Sequence, residues 1–348
     1  MLHIHFFVTC NFRIIEDWGE LMKTTRPGKN GPEVSSVGLG CMGMSDFYGS
    51  KENDASGIET IHAALDHGIN LLNTGDFYGS GRNEALIGRA LKDRREKAFV
   101  SVKFGVLRTP SGGFGGLDLR PNAVKNFASY SLQRLGLDVI DLYQPSRIDP
   151  SVPVEDTVGA IADLIREGKV RYLGLSEANV EQIQKANAVH PVAALEIEYS
   201  IGTRFIESKI LPAVREMGIG IVAYGVMSRG LLTGTNFQPA GPGDSRTHMP
   251  RFQGENLAKN QAKVAILEKM AGEKNCTTAQ LCLAWVLSRG SDIVPLIGTR
   301  SKNRLLENLK GLDIQLTQAD LVKLEKEFPE GAISGNRYPE AQMGIIPK

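Results

Sequence analysis

One pattern recurs along the chain from residue 34 onward and limits its possible folds. An amphipathic helical stretch ends at a Gly or a charged turn, and a short apolar run follows. Gly suits these junctions because the residue after a helix often adopts a left-handed conformation that a Cβ atom disfavours. The apolar runs are rich in Val, Ile and Leu without strict alternation, which is typical of buried strands in a parallel sheet. Five junctions show the pattern: LDHG before INLLNTG, QRLG before LDVIDLY, IREGK before VRYLGLS, REMG before IGIVAYG, and LSRG before SDIVPLIG.

The number of repeats predicts a (β/α)₈ barrel, in which functional residues gather at the C-terminal ends of the strands. A doubly wound sheet is the rival, but no GxGxxG turn follows an early strand. We expect residues 22–348 to form one barrel domain, and we treat residues 1–21 as an N-terminal extension of unknown role. The predicted strands are 34–40, 69–74, 98–104, 139–144, 170–176, 193–200, 219–225 and 292–298. The predicted helices are 54–67, 82–93, 121–135, 156–167, 179–188, 205–217, 260–289, 302–311 and 317–328.

Two Gly/Pro-rich insertions follow predicted strands, at 108–121 after the third and at 226–257 after the seventh. Loops of this length inside a compact domain are usually lids or walls of a binding site. Both are therefore expected on the functional face.

Charge and cysteine content exclude several classes of protein. Lys and Arg total 40 against 39 Asp and Glu, so the net charge of +1 provides no field that would attract nucleic acid or an anionic membrane. The four cysteines form no CxxC pair and no Cys/His cluster at zinc spacing, which argues against a metal site and a disulfide framework. No uninterrupted apolar run of 18 residues occurs, and the N-terminus is a poor signal peptide. A cytoplasmic protein is expected.

A lysine inside the apolar run VSVKFG is the most informative residue at a predicted strand end. Burying Lys103 is costly unless its charge is paired or used. Tyr78 follows the second predicted strand, so both side chains are expected at the same end of the barrel. An ammonium favours phenolate and lowers the pKa of a phenol from about 10. Such a pair could protonate an alkoxide.

Five segments resemble the aldo-keto reductases: NLLNTGDFYGSGRNEALIGRAL, VSVKFG, EGKVRYLGLSEA, AYGVMSRGLLTG and VPLIGTRSKNRLLENL. The resemblance extends from about residue 34 to residue 328. It implies a barrel enzyme that binds NADP(H) without a Rossmann domain and reduces a small aldehyde or ketone.

Within the resemblance, Tyr78 corresponds to the catalytic tyrosine and Lys103 to the catalytic lysine. Two positions depart from the family pattern, because Asn73 replaces the catalytic aspartate and Ser146 the catalytic histidine. Asn73 can accept a hydrogen bond from Lys103 but supplies no negative charge, so the pKa of Lys103 is expected to fall. Ser146 can hydrogen-bond a substrate carbonyl, and the neighbouring Arg147 could add positive charge.

The resemblance also implies a cofactor site. Ser176, Glu177 and Glu196 would surround the nicotinamide carboxamide, with Glu196 where a glutamine is usual, and Tyr224 would stack on the ring. The remaining positions are Ser228, Arg229, Gly230 and Leu231 at the pyrophosphate, Thr299, Arg300 and Arg304 at the 2′-phosphate, Glu307 and Asn308 at the adenine, and Gly298 as a further cofactor-binding residue. Arginine suits the phosphate because its planar donors pair with it bidentately.

Two other functions remain possible from the sequence. A nicotinamide-binding regulatory or interaction protein on the same barrel would turn over weakly or not at all, which the changes at Asn73 and Ser146 allow. A metal-dependent barrel hydrolase would need clustered His and Asp residues at the strand ends, and the sequence lacks them. An NADPH-dependent reductase is the favoured interpretation.

Overall fold

A computed structural model describes residues 22–29, 31–49, 53–241 and 243–347. The predicted N-terminal extension, residues 1–21, lies outside the described residues. A two-stranded antiparallel ribbon begins the described part and joins Thr24–Thr25 to Val34–Ser35. Its apolar Val34 packs on the inward-facing residues at the N-terminal end of the barrel, where it helps to close that end.

Eight parallel strands close into a barrel, as the sequence predicted. Each strand pairs with the next along the chain, and the last pairs with the first. The predicted first strand, 34–40, is divided, because residues 34–35 belong to the ribbon and only the end of the run enters the barrel. The strands are β1 Gly38–Gly40, β2 Leu71–Gly75, β3 Phe99–Phe104, β4 Ile140–Pro145, β5 Val170–Ser176, β6 Val192–Glu198, β7 Gly220–Tyr224 and β8 Ile293–Gly298.

Helices surround the barrel and bury its outer face in one large apolar layer. Gly136 and Gly218 end two of them in the left-handed conformation, with φ of 64° and 70°, as the junction pattern predicted. The helices are α1 Asp54–Asp66, α2 Arg82–Leu91, α3 Pro121–Leu135, α4 Val154–Arg166, α5 Val180–Val189, α6 Ile210–Met217, α7 Gly254–Glu273, α8 Thr278–Leu287, α9 Lys302–Leu309, α10 Gln318–Glu327 and α11 Glu340–Met343.

The single helix predicted over 260–289 is wrong, because α7 and α8 are separate helices. Asn275, in the connection between them, has a φ of 53° that a helix cannot accommodate. Thr277 then starts α8 with a capping box, in which its hydroxyl accepts from the Gln280 N–H and the Gln280 side chain accepts from the Thr277 N–H. The sequence contained this signal as Thr followed three residues later by Gln.

Both insertions contain regular secondary structure. The first contains an antiparallel hairpin, Val106–Arg108 with Phe114–Leu117. The second contains three short 3₁₀ turns, Ser228–Thr233, Ser245–His248 and Pro250–Phe252, and runs into the start of α7. Both insertions follow strand ends, so both lie on the C-terminal face of the barrel.

Candidate active site

The inward-facing side chains change from apolar to polar along the barrel axis. Leu71, Phe99 and Leu142 belong to the apolar cluster at the N-terminal end. Two residues further along β2, β3 and β4, the positions are Asn73, Ser101 and Gln144, and Lys103 follows on β3. Strand register pairs Asn73 with Ser101 and Lys103 with Gln144, so these groups are brought together at the C-terminal half of the barrel.

These polar groups form one buried hydrogen-bond network around Lys103 and Glu196. The Lys103 ammonium lies 2.8 Å from Glu196 Oε1 and donates to Asn73 Oδ1 at 2.6 Å. Asn73 Nδ2 donates to Glu196 Oε2 at 2.7 Å, and Gln144 Nε2 donates to the same oxygen. Gln144 also donates to Ser101 Oγ at 3.2 Å. The predicted hydrogen bond from Lys103 to Asn73 is therefore present, and the negative charge beside the lysine comes from Glu196.

Burial sets the direction of the Lys103 titration. It lowers the pKa of Lys103 below its ordinary value, while the Glu196 carboxylate partly restores it. The expected fall in this pKa is therefore found, although its main cause is desolvation.

Tyr78 begins the 3₁₀ turn that follows β2. Its ring lies edge-on to Phe77 and Phe47, and the Lys103 Nζ is 5.4 Å from the ring centre. Asp46 fixes this turn, because its carboxylate accepts from the Gly79 N–H at 3.0 Å. The tyrosine and the lysine thus converge, as the sequence predicted.

The expected lowering of the Tyr78 pKa is wrong. Burial raises the pKa of Tyr78 well above that of a free phenol, the Glu196 carboxylate raises it further, and the Arg147 guanidinium opposes the shift. The prediction from the lysine alone leaves out two larger effects on the phenol, namely its low-polarity surroundings and the Glu196 carboxylate. Tyr78 therefore holds its proton throughout the neutral pH range.

Ser146 directly follows β4, and Ser176 is the last residue of β5. Both side chains are about 1% exposed. Neither hydroxyl has a hydrogen-bond partner among the described residues. A buried hydroxyl without a partner is costly, so both positions are suited to a bound molecule that completes the bond. Arg147, next to Ser146, donates to the Tyr338 hydroxyl at 2.9 Å.

The C-terminal tail occupies part of the barrel mouth. Arg337 donates to Glu177 Oε2 at 2.9 Å and to Glu177 Oε1 at 3.1 Å, and it lies 3.5 Å from Glu198. The next residue, Tyr338, lies with its hydroxyl 2.9 Å from that of Tyr224. Glu177 and Tyr224, both predicted at the nicotinamide, are therefore bonded to the tail in this structure.

The 3₁₀ turn after β7 carries the predicted pyrophosphate segment. Ser228, Arg229 and Gly230 all have positive φ, at 44°, 59° and 98°, which curls the backbone tightly at the strand end. Arg229 lies over the Tyr338 ring at 4.8 Å, and its Nη2 is buried without a hydrogen-bond partner in the described part of the chain. Leu231 is buried beneath the turn.

The predicted phosphate and adenine segment follows β8 directly and leads into α9. Ser301 caps the helix, with its hydroxyl accepting from the Arg304 N–H. Arg304 and Glu307 are exposed, whereas Asn308 is buried; Gly298 ends β8, and Thr299 and Arg300 lie in the connection before the helix. Arg304 and Glu307 are three residues apart on the helix, and these two described residues form no ion pair with each other.

Several site residues were missed by sequence reasoning. Gln144 had a signal, since it stands two residues after the inward-facing Leu142 on the same strand. Glu198, at the end of β6, forms an ion pair at 3.1 Å with Arg251, which lies in the second insertion. Arg337 and Tyr338 lie more than 100 residues from their partners in the chain, so no local pattern could place them.

The chain forms a closed eight-stranded barrel with a buried lysine and a buried tyrosine at the C-terminal ends of its strands, which defines the class of (β/α)₈ barrel proteins. Residues 36–327 match the family described as the aldo/keto reductase family. The chain belongs to the aldo/keto reductase family. Members of this family are oxidoreductases that act on small carbonyl compounds and use NADP(H).

Known relatives agree with this assignment. The chain is 42% identical over 316 residues to "Probable aldo-keto reductase 1" of Glycine max, covering 89% of this chain and 90% of that protein. The glycerol dehydrogenase from Gluconobacter oxydans superposes with a TM-score of 0.78 at 30% identity, covering 87% and 94% of the two chains. The holo form of an aldo-keto reductase from Bacillus halodurans gives 0.72 at 26% identity, with 92% and 99% covered.

The described residues contain no helix long and apolar enough to cross a membrane. Within the same residues, no cluster of three or more His, Cys, Asp or Glu side chains could hold a metal ion.

Proposed function

We propose that this protein is an NADPH-dependent reductase that converts a small aldehyde or ketone to an alcohol, with Tyr78 as proton donor. The observation that carries the proposal is the buried Lys103, paired with Glu196 and held 5.4 Å from the centre of the Tyr78 ring. A buried ion pair of this kind adds little to stability, so its place beside a buried phenol favours a chemical role.

Tyr78 would donate its hydroxyl proton to the carbonyl oxygen as negative charge develops there. Its raised pKa keeps the proton in place until the substrate draws it away. The phenolate left behind would be stabilised by two nearby cations, Lys103 and Arg147, in a site where burial strengthens electrostatic attraction. The unpartnered Ser146 hydroxyl would donate to the same carbonyl oxygen and orient it.

The chain also has groups suited to the cofactor. When bound, NADPH would supply a hydride, which carries the two electrons of the reduction and one of the two hydrogens that the carbonyl group gains. The Ser176 hydroxyl, which is buried and has no hydrogen-bond partner among the described residues, fits a bound polar molecule at the mouth of the barrel. Residues proposed to hold the cofactor are Ser176, Glu177, Tyr224, Ser228, Arg229, Gly230, Leu231, Gly298, Thr299, Arg300, Arg304, Glu307 and Asn308, whereas the oxygens of Glu196 are already engaged by Lys103, Asn73 and Gln144.

Cofactor preference tests this proposal at Arg300 and Arg304. Each charge-assisted hydrogen bond to the 2′-phosphate contributes roughly 1.5 to 3 kcal/mol, so even one gives about tenfold preference for NADPH over NADH. We expect the double variant Arg300→Ala with Arg304→Ala to raise the Kd for NADPH by about tenfold or more and to leave the Kd for NADH nearly unchanged. The salt dependence of NADPH binding should also become weaker. Fluorescence titration measures all three quantities.

Lys302→Ala is the matched control, because this exposed lysine lies between the two arginines and pairs with Glu59 on α1. It should leave the NADPH preference intact. Equal Kd values for NADH and NADPH in the unaltered protein, at about 0.15 M salt where long-range attraction is screened, would contradict the assignment of this segment.

A further inference from the structure

Lys103 has a charge requirement that Asn73 cannot meet. Its side chain is about 5% exposed inside the barrel, and a buried ammonium without a counter-charge is strongly unfavourable. Among the described residues, the carboxylate in contact with it belongs to Glu196 on β6, at 2.8 Å and 3.1 Å from its two oxygens. Cys41, Tyr78 and Arg147 also face the lysine, and none of them brings a carboxylate.

Glu196 is itself saturated by groups inside the barrel. Its Oε2 accepts from Asn73, Gln144 and Lys103, and its Oε1 contacts Lys103. Both carboxylate oxygens are therefore committed to the lysine network. This arrangement is more consistent with a role toward Lys103 than with direct recognition of a cofactor amide.

Asn73 links the two charged groups in the only orientation its amide allows. Its Oδ1 accepts from the ammonium and its Nδ2 donates to the carboxylate. The reverse orientation would place the amide NH₂ against the ammonium and the amide oxygen against the carboxylate. An aspartate at this position could still accept from Lys103 but would face the Glu196 carboxylate at 2.7 Å. Two carboxylates so close cannot both stay ionised, so an amide at 73 is the complement of an acid at 196.

We infer that Glu196 is the positioning residue that keeps Lys103 charged and oriented beneath Tyr78, and that residues 73 and 196 form one exchangeable carboxylate and amide pair. Residues 73 and 196 must together supply one acid and one amide, and the lysine is neutralised whichever of the two residues carries the acid. The catalytic part of this inference rests on the proposed function.

The test is a charge exchange carried out on the full chain. Asn73→Asp puts a second acid beside the first, and Glu196→Gln leaves Lys103 without a carboxylate. Both single variants should have lower unfolding midpoints than the parent, and Glu196→Gln should lose about tenfold in kcat/KM, the equivalent of one pKa unit. The loss should lie in kcat, and the pH profile should shift because the Lys103 pKa falls further.

The double variant, Asn73→Asp with Glu196→Gln, separates positioning from simple structural damage. It restores one acid and one amide, so its unfolding midpoint and its kcat/KM should both exceed those of either single variant. A double variant that is no better than the worse single variant would overturn the inference, since two independent structural defects add.

Glu198→Gln provides the matched control. Glu198 is buried two residues further along β6, but its partners are Thr203 and the three arginines Arg229, Arg251 and Arg337. Asn73→Asp should fail to rescue this variant, and rescue would show that the effect at 196 is not specific to the lysine network. If the parent protein reduces no aldehyde, the proposed function fails, whereas the unfolding midpoints of the parent, the two single variants at 73 and 196, and their double variant still decide whether these two residues are exchangeable.

Discussion

Replacing Tyr78 with Phe should reduce carbonyl reduction by a factor of about 10² or more, the usual contribution of a positioned general acid. The substitution removes the hydroxyl proton and keeps the ring that packs against Phe77 and Phe47. NADPH affinity and the unfolding midpoint should change little, so the loss is expected in kcat. Steady-state kinetics with an aldehyde substrate, together with an NADPH titration, make the measurement.

Tyr143→Phe is the matched control, because Tyr143 is also a fully buried tyrosine. It stacks on Phe104 at 4.1 Å and donates to the Val124 carbonyl, on the outer side of the barrel wall. Removing its hydroxyl should leave the reduction rate close to that of the parent. If Tyr78→Phe reduced a good aldehyde at the parental rate while Ser146→Ala did not, Tyr78 would not be the proton donor.

Arg337→Met should destabilise the protein by about 3 to 5 kcal/mol, the range for removing one partner of a buried ion pair. Arg337 is 7% exposed and neutralises Glu177, whose other donors among the described residues are the Tyr224 hydroxyl and the Glu198 backbone N–H. Methionine preserves much of the side-chain volume, so the loss reports on charge. Urea unfolding monitored by circular dichroism measures it.

A surface pair gives the comparison for this substitution. Arg166 contacts Asp163 at 2.9 Å, but its side chain is 76% exposed. Exposed pairs contribute about 0 to 1 kcal/mol, so Arg166→Met should have a small effect. Losses of similar size at both arginines would mean that the tail does not anchor the mouth of the barrel through Glu177.

The alternation of helices and buried strands was readable from local sequence, because Gly at helix ends and apolar runs act over a few residues. The contact of Lys103 with Asn73 was predicted as well, from the resemblance to the aldo-keto reductases. The helix break before Thr277 was missed because the apolar periodicity outweighed a capping signal that the sequence did contain. Contacts made by Arg337 depend on how the tail folds back over the barrel, which no local pattern encodes.

Electrostatics at the site could be predicted only in part. Replacement of the usual aspartate by Asn73 suggested that Lys103 had lost its counter-charge. The structure shows the charge on Glu196, a residue that strand register brings across the barrel. The direction of the Tyr78 pKa shift was wrong for a related reason, because burial and the Glu196 carboxylate act on the phenol together.

Single-turnover oxidation of bound NADPH tests the proposed activity most directly. Protein mixed with less than one equivalent of NADPH would be combined rapidly with a panel of small aldehydes, and the loss of reduced-nicotinamide fluorescence followed. We expect at least one aldehyde to consume the bound NADPH in the parent protein, and the Tyr78→Phe variant to do so about 10² times more slowly. Bound NADPH that decays at the same rate with every aldehyde as in buffer would contradict a reductase and favour a nicotinamide-binding regulatory protein on the same barrel.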